Sequence, residues 1–165
     1  DAQESRGLGD VYKRQGYWRM PEKTREEFTA DGWFKTGDVG RWGGESAGRD
    51  VPADYLSIVG RSKDLIISGG FNVYPKEIET LIDDMPGVAE SAVIGVPHAD
   101  FGEAVVAVVV PKEGVSLDAA AMQAELKARI ANFKVPKRLH IVDQLPRNTM
   151  GKVQKNVLRE TYQTL

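Results

Sequence analysis

Seven consecutive apolar residues, Ala104 to Val110, set the strongest limit on how this chain folds. The run is rich in β-branched valine and apolar at odd and even positions alike. As a strand it has no face to give to water, so it belongs inside a sheet covered on both sides. A companion strand precedes it from Ala89 to Val96, where Ala92, Ile94 and Val96 alternate with smaller neighbours. The cover comes from helices. Ile78, Leu81, Ile82 and Met85 recur at helical spacing after Tyr74-Pro75, which predicts a helix of about three turns ending near Pro86-Gly87. Asp118 suits an N-cap, and Met122, Leu126, Ile130 and Phe133 mark one face of a second helix that stops before Val135-Pro136. Arg138 to Val142 reads as a third strand. Val157, Leu158 and Tyr162 give a closing helix of about ten residues an apolar face to lay on the sheet. The fold class is α+β.

Upstream the pattern is looser. Asp1 to Gln15 is polar, without a periodic apolar face, and reads as a flexible or foreign leader. A helical piece follows around Pro21 to Phe28, with proline at the permitted first turn, and Asp31-Gly32 punctuates it. Trp33 to Val39 reads as a short strand running into a turn, and Gly43 to Pro52 as a loop. Tyr55 to Val59 and Leu65 to Ile67 are β-type runs around the polar connection Gly60 to Asp64, with a domain boundary near Lys63.

Length and composition exclude several classes. A chain of 165 residues holds one ordinary domain, or a small domain and a piece of another. No apolar run approaches the roughly 20 residues of a membrane span, and a net charge of −2 gives no general attraction to nucleic acid or anionic membrane. Without cysteine there is no disulfide framework, thiolate metal site or cysteine nucleophile, so any thioester chemistry needs a thiol from another molecule. Charged residues stand where a signal peptide would have its apolar core, which makes the cytoplasm the default compartment. His98 and His140 lack ligand-spaced partners and read as structural, leaving no protein metal site.

Three polar clusters contain glycine: Lys35 to Asp38, Gly60 to Asp64 with Ser68-Gly69-Gly70, and Asn148 to Lys152. None has the spacing of a Walker loop or a dinucleotide fingerprint. Taken singly, a Gly-Lys in a loop is a turn with a solvated lysine. Taken in this order, however, Gly16-Tyr17-Trp18, Trp33-Phe34-Lys35-Thr36-Gly37-Asp38, the stretch Gly60 to Gly70 and Pro146-Arg147-Asn148-Thr149-Met150-Gly151-Lys152 resemble the adenylate-forming superfamily of acyl-CoA synthetases, luciferases and peptide-synthetase adenylation domains. The likeness spans nearly everything after Gln15.

The resemblance implies a division of labour. Residues 16–60 would be the C-terminal edge of a large N-terminal AMP-binding domain. Residues 61–165 would be the mobile C-terminal domain, a three-stranded sheet with flanking helices and a two-stranded hairpin. Asp38 would accept hydrogen bonds from the ATP ribose hydroxyls, with Arg61 adding donors. Lys152 would be catalytic, bridging the substrate carboxylate and the α-phosphate. Lys63 would be the hinge between adenylating and thioester-forming poses. Ser68, Gly69 and Gly70 would line the pantetheine path of CoA. Lys134, Lys137 and Arg138 read as a solvated basic face, with the CoA phosphates as the alternative. Mg²⁺ would arrive with ATP.

Gly70 to Glu79 looks like the CoA-ligase branch, and Ala92 to Glu103 with Met150 to Arg159 is similar to malonyl-CoA synthetases. The substrates implied are a small carboxylic acid, ATP and CoA, and the further partner is the absent N-terminal domain, which would hold the acyl pocket and the phosphate loop. The fragment alone is expected to be inactive. Other short- or medium-chain acyl-CoA synthetases, luciferase-like or carrier-protein acylation, and a non-catalytic binding module are the alternatives. Two features depart from the family: Gly43 to Pro52 is longer than the usual turn, and Asp1 to Gln15 fits no family position, which suggests an added segment.

Overall fold

The valine run forms the middle of a five-stranded sheet whose two faces carry two separate hydrophobic clusters. The computed structural model describes residues 16–46 and 49–163, with side chains for all of these except Glu45, Ser46 and Arg49. The leader expected over Asp1 to Gln15 lies outside the described residues. The chain divides into two units, residues 1–38 and 39–165.

The first unit contains helix α1 (Pro21–Glu27), which starts on proline as expected. Thr24 Oγ1 accepts the Tyr17 N–H at 2.8 Å and donates to the Met20 carbonyl at 3.0 Å, tying the entry to the helix. Phe28 and Phe34 form an isolated antiparallel bridge, with ring centroids 5.3 Å apart. The strand expected over Trp33 to Val39 is thus reduced to that bridge at Phe34, and the pairing resumes only at Asp38.

Strand β1 (Asp38–Ser46), which lies in the second unit from Val39 onward, pairs with β2 (Arg49–Arg61) in a two-stranded sheet. The loop expected over Gly43 to Pro52 is instead strand up to Ser46 and again from Arg49; Ala47 and Gly48 lie outside the described residues. Glycine composition suggested a loop, but a Cβ on Gly43 would stand 3.0 Å from the Ala53 Cα, so its glycine serves close approach of the two backbones. A single 3₁₀ turn, Ser62–Asp64, follows β2. The strands on either side of it form as expected but do not pair with each other. The second, β3 (Ile66–Ser68), pairs instead with β4 (Phe71–Val73).

Helix α2 (Pro75–Asp83), β5 (Val88–His98), β6 (Gly102–Pro111), helix α3 (Ala119–Arg129), β7 (Arg138–Ile141) and helix α4 (Lys155–Thr161) complete the unit. β5 and β6 are antiparallel, with Ile94 opposite Val106, whereas β7 runs parallel to β6, with Val106 opposite Arg138. The β3–β4 hairpin joins this sheet at the single pair Ser68–Gly102. The expected three strands and hairpin are therefore one sheet.

Alternation along β6 distributes the core. Val105, Ala107 and Val109 join Val93, Ile78, Ile82, Met122 and Leu126 on the face covered by α2 and α3. Val106, Val108 and Val110 join Ile94, Val96, Leu145 and Leu158 on the face covered by α4. Each fully buried valine or isoleucine removes apolar surface worth about 1.5–3 kcal/mol from water. Asp118 caps α3 by accepting the N–H groups of Ala120 and Ala121 at 2.9 and 3.3 Å. That helix ends earlier than its periodicity implied, because Ile130 turns extended (φ −131, ψ 160) before a 3₁₀ turn at Asn132–Lys134. Ile130 and Phe133 nevertheless still pack on the core. Among the described residues no helix is long and apolar enough to cross a membrane.

His140 on β7 stacks on Tyr162, with centroids 4.3 Å apart. Burial, and then the Arg138 charge, hold its pKa below the ordinary 6.5. A lowered folded-state pKa favours the neutral ring, so this stability is full above pH 6.5 and is lost as pH falls through the folded value. Urea melts of the chain should show falling stability on that side, and His140→Gln should flatten the profile. Equal slopes for the two proteins would exclude His140 as the cause.

Candidate functional site

The segment around Lys152 is a short hairpin closed by its own side chains. Arg147 and Val153 form an isolated antiparallel bridge, and the Asn148 N–H bonds the Lys152 carbonyl at 2.9 Å. The Gln154 N–H reaches the Pro146 carbonyl at 2.8 Å. Inside the turn, Asn148 Oδ1 accepts the N–H groups of Met150 and Lys152 at 3.0 and 2.9 Å. That is the local bonding that favours asparagine in turns. Gly151 has φ 77, and nothing would lie within 4 Å of a Cβ there; the left-handed backbone, not crowding, calls for glycine. Lys152 is exposed, and its ammonium has no partner among the described residues.

Charged pairs fasten this segment to the sheet domain on both sides of Lys152. Arg147 pairs with Glu90 on β5 and also donates to the Gly151 carbonyl at 2.5 Å. Lys155, the first residue of α4, meets Glu79 of α2 at 2.6 Å, with side chains 20% and 10% exposed. The same Glu79 oxygen accepts the Val93 N–H at 2.9 Å, so a nearly buried carboxylate closes part of the open edge of β5 while holding α4. Arg159 of α4 then pairs with Asp64 at 2.8 Å.

Asp64 ends the 3₁₀ turn that contains Lys63, so α4 links the Lys152 hairpin to the turn expected as a hinge. Lys63 is exposed, and the turn is closed by the Leu65 N–H on the Ser62 carbonyl at 3.3 Å. Ser68 is buried and pairs with Gly102. Gly69 and Gly70, at φ 59 and 81, form the two-residue turn between β3 and β4, a conformation that strongly favours glycine. The Gly69 N–H bonds the Phe101 carbonyl at 2.9 Å, which seats the turn beside the β5–β6 connection.

The expected basic face is not three like cations. Lys134 holds Glu77 at 2.6 Å, and Lys137 stands 5.0 Å from the centre of the Phe101 ring. Phe71 and Phe133 stack at 4.4 Å nearby, with Phe71 55% exposed. Asp38 is exposed and closes a turn in which its N–H bonds Thr36 Oγ1 at 3.1 Å after Gly37, φ 73. It is the last residue of the first unit, whereas Arg61, also exposed, ends β2 in the second. The expected boundary between residues 60 and 61 falls at the end of that strand. The first unit also has a depression of about 890 Å³ lined by residues including Tyr17, Trp18, Pro21 and Phe28.

Sequence reasoning marked the Lys152 cluster but missed the parts that hold it. Asn148 was legible in principle, as an asparagine three residues before glycine. Glu79, Glu90 and Asp64 carried no signal, since each meets its partner between 57 and 95 residues away.

Comparison with known proteins agrees with this architecture. The family model described as the AMP-binding enzyme C-terminal domain matches residues 77–152. A methyl-dioxo-octahydroindenyl-propanoyl:CoA ligase of Rhodococcus jostii (strain RHA1) is 51% identical over 88% of this chain and 27% of its own length. An indoleacetate–CoA ligase of Aromatoleum aromaticum is 48% identical over 79% of this chain and 24% of its own. The crystal structure of ATP-bound MatB from Rhodopseudomonas palustris superposes with a TM-score of 0.77 at 61% identity, covering 90% of this chain and 28% of that one. The chain thus spans about a quarter of the length of these relatives. Its residues 77–152 are an AMP-binding enzyme C-terminal domain, and the chain belongs to the adenylate-forming superfamily of acyl-CoA ligases as part of their C-terminal portion.

Proposed function

We propose that this chain works within a complete AMP-forming acid–thiol ligase that makes an acyl-adenylate and then an acyl-CoA. The observation that carries the proposal is the Lys152 hairpin: an exposed ammonium, without a partner among the described residues, on a backbone held by Asn148 and Arg147. A solvated surface lysine needs no such support.

In the first step a carboxylate oxygen attacks the α-phosphorus of ATP and pyrophosphate leaves. Two anions approach each other there, and a fixed ammonium between them offsets the charge that builds up. Asp38 is proposed to accept from the ribose hydroxyls, and Arg61 to offer donors to the nucleotide. Mg²⁺ enters on the ATP phosphates, and no residue of this chain is given a metal-ligating role. In the second step the CoA thiol attacks the acyl carbonyl and loses its proton, and AMP leaves. Residues 61–165 turn about Lys63 between the two steps, bringing Ser68, Gly69 and Gly70 to the pantetheine arm.

Malonate is the proposed acid, on the likeness of Ala92 to Glu103 and Met150 to Arg159 to malonyl-CoA synthetases. Residues 16–60 are proposed as the edge of the large domain that supplies the acyl pocket. The fragment without that domain is accordingly inactive, and the cytoplasm is the proposed compartment. The test is pyrophosphate release by the complete enzyme with malonate, acetate, butyrate or octanoate, followed by AMP release with and without CoA. Malonate dependence with CoA-stimulated AMP release is the expected result. Preference for another acid overturns malonate alone, and AMP release indifferent to CoA overturns the ligase reading.

A further inference from the structure

We infer that Arg147, backed by Glu90, is a positioning residue for the adenylation step, acting on Lys152 through the Gly151 carbonyl. The inference rests on the catalytic reading of Lys152 and adds a device to it. The Arg147 guanidinium has two engagements: it pairs with the Glu90 carboxylate on β5, and it donates to the carbonyl of the residue immediately before Lys152, at 2.5 Å. A planar fork with donors on both terminal nitrogens can hold two acceptors at once, which a lysine ammonium does with less directional control.

The carbonyl it grips is the one that most affects Lys152. Gly151 is in the left-handed region at φ 77 with open space where a Cβ would stand, so hydrogen bonds rather than side-chain packing set its backbone. Asn148 fixes the N–H groups on either side, those of Met150 and Lys152, and leaves the Gly151 carbonyl to Arg147. Glu90 in turn ties that guanidinium to β5, where Val88 and Ala92, two residues to either side, are buried, so the reference frame for Lys152 is the sheet itself.

The pair is 44% and 33% exposed, and a pair this open contributes little to folding. Lys155–Glu79, much more buried, serves the attachment of α4. The two pairs therefore differ in what their loss should do, and this makes the inference testable.

In the complete enzyme, Arg147→Met is expected to slow acyl-adenylate formation, read by pyrophosphate exchange, by about 10- to 100-fold, the scale of a small misplacement of a reacting group. Thioester formation from supplied acyl-adenylate and the thermal midpoint should stay unchanged. Arg147→Lys, which retains the charge and a single donor nitrogen in place of the fork, should recover part of the rate, and Glu90→Gln should show a smaller loss in the same half-reaction. Equal loss of both half-reactions, or a loss that follows a lowered thermal midpoint, overturns the inference. Lys152→Ala is run beside these variants. If it fails to adenylate while Arg147→Met adenylates normally, the brace alone is wrong; if it adenylates normally, the parent reading falls and this one with it.

Discussion

Lys152→Ala in the complete enzyme is expected to lower acyl-adenylate formation by about 100- to 1,000-fold, equal to about 2.7–4 kcal/mol of barrier, the usual cost of removing one preorganised charge-stabilising group. The loss should fall on the first half-reaction. Thioester formation from supplied acyl-adenylate should continue, because the phosphorus chemistry is finished before that step begins. The substitution should also leave the fold intact: Lys152 is exposed, and its hairpin is held by its backbone, Asn148 and Arg147 rather than by the lysine side chain. Pyrophosphate exchange and a single-turnover thioester assay measure the two steps separately. Equal loss of both would remove Lys152 from the role assigned to it.

Lys63→Pro should produce the opposite split. Proline fixes φ near −65°, so a residue that must change its torsions between two poses becomes confined to one. The 3₁₀ turn is closed by the Leu65 N–H on the Ser62 carbonyl, a bond that does not use the N–H lost at position 63. Adenylation should therefore persist while thioester formation falls by about 100-fold or more, as one pose is depopulated. Lys63→Ala is the control. If the backbone rather than the ammonium carries the function, alanine leaves both steps near normal; a matching loss with alanine would assign the effect to the side chain.

The centre of the fold was readable from the sequence because burial on both faces leaves an unbroken apolar run, as in Ala104 to Val110. Helices α2 and α3 were equally clear, from apolar spacing and from proline and Asp118 at their starts. The end of α3 was not, since Ile130 and Phe133 continue to pack on the core after the helix has stopped, and periodicity records packing rather than hydrogen bonding. The Gly43 to Pro52 stretch misled for a related reason. Glycine there permits close strand approach at Gly43, and composition alone does not separate that use from a turn. At the candidate site, the residues proposed for chemistry stood out as local glycine-containing clusters. Their supports did not, because Arg147–Glu90, Lys155–Glu79 and Arg159–Asp64 join segments that nothing in the local pattern connects.

Those three pairs also carry a consequence for how the domain assembles. They close separations of 57, 76 and 95 residues, and β7 can take its parallel place beside β6 only after α3 has crossed between them. Contacts of such high contact order form slowly, because chain entropy is lost before they yield any return. The Lys152 hairpin, closed by local bonds, is therefore expected to be fastened to the sheet among the last events of folding. Refolding of this chain followed by helical ellipticity should run ahead of exchange protection at the Val93 N–H, which bonds the carboxylate that holds α4, and simultaneous recovery of the two would refute that order.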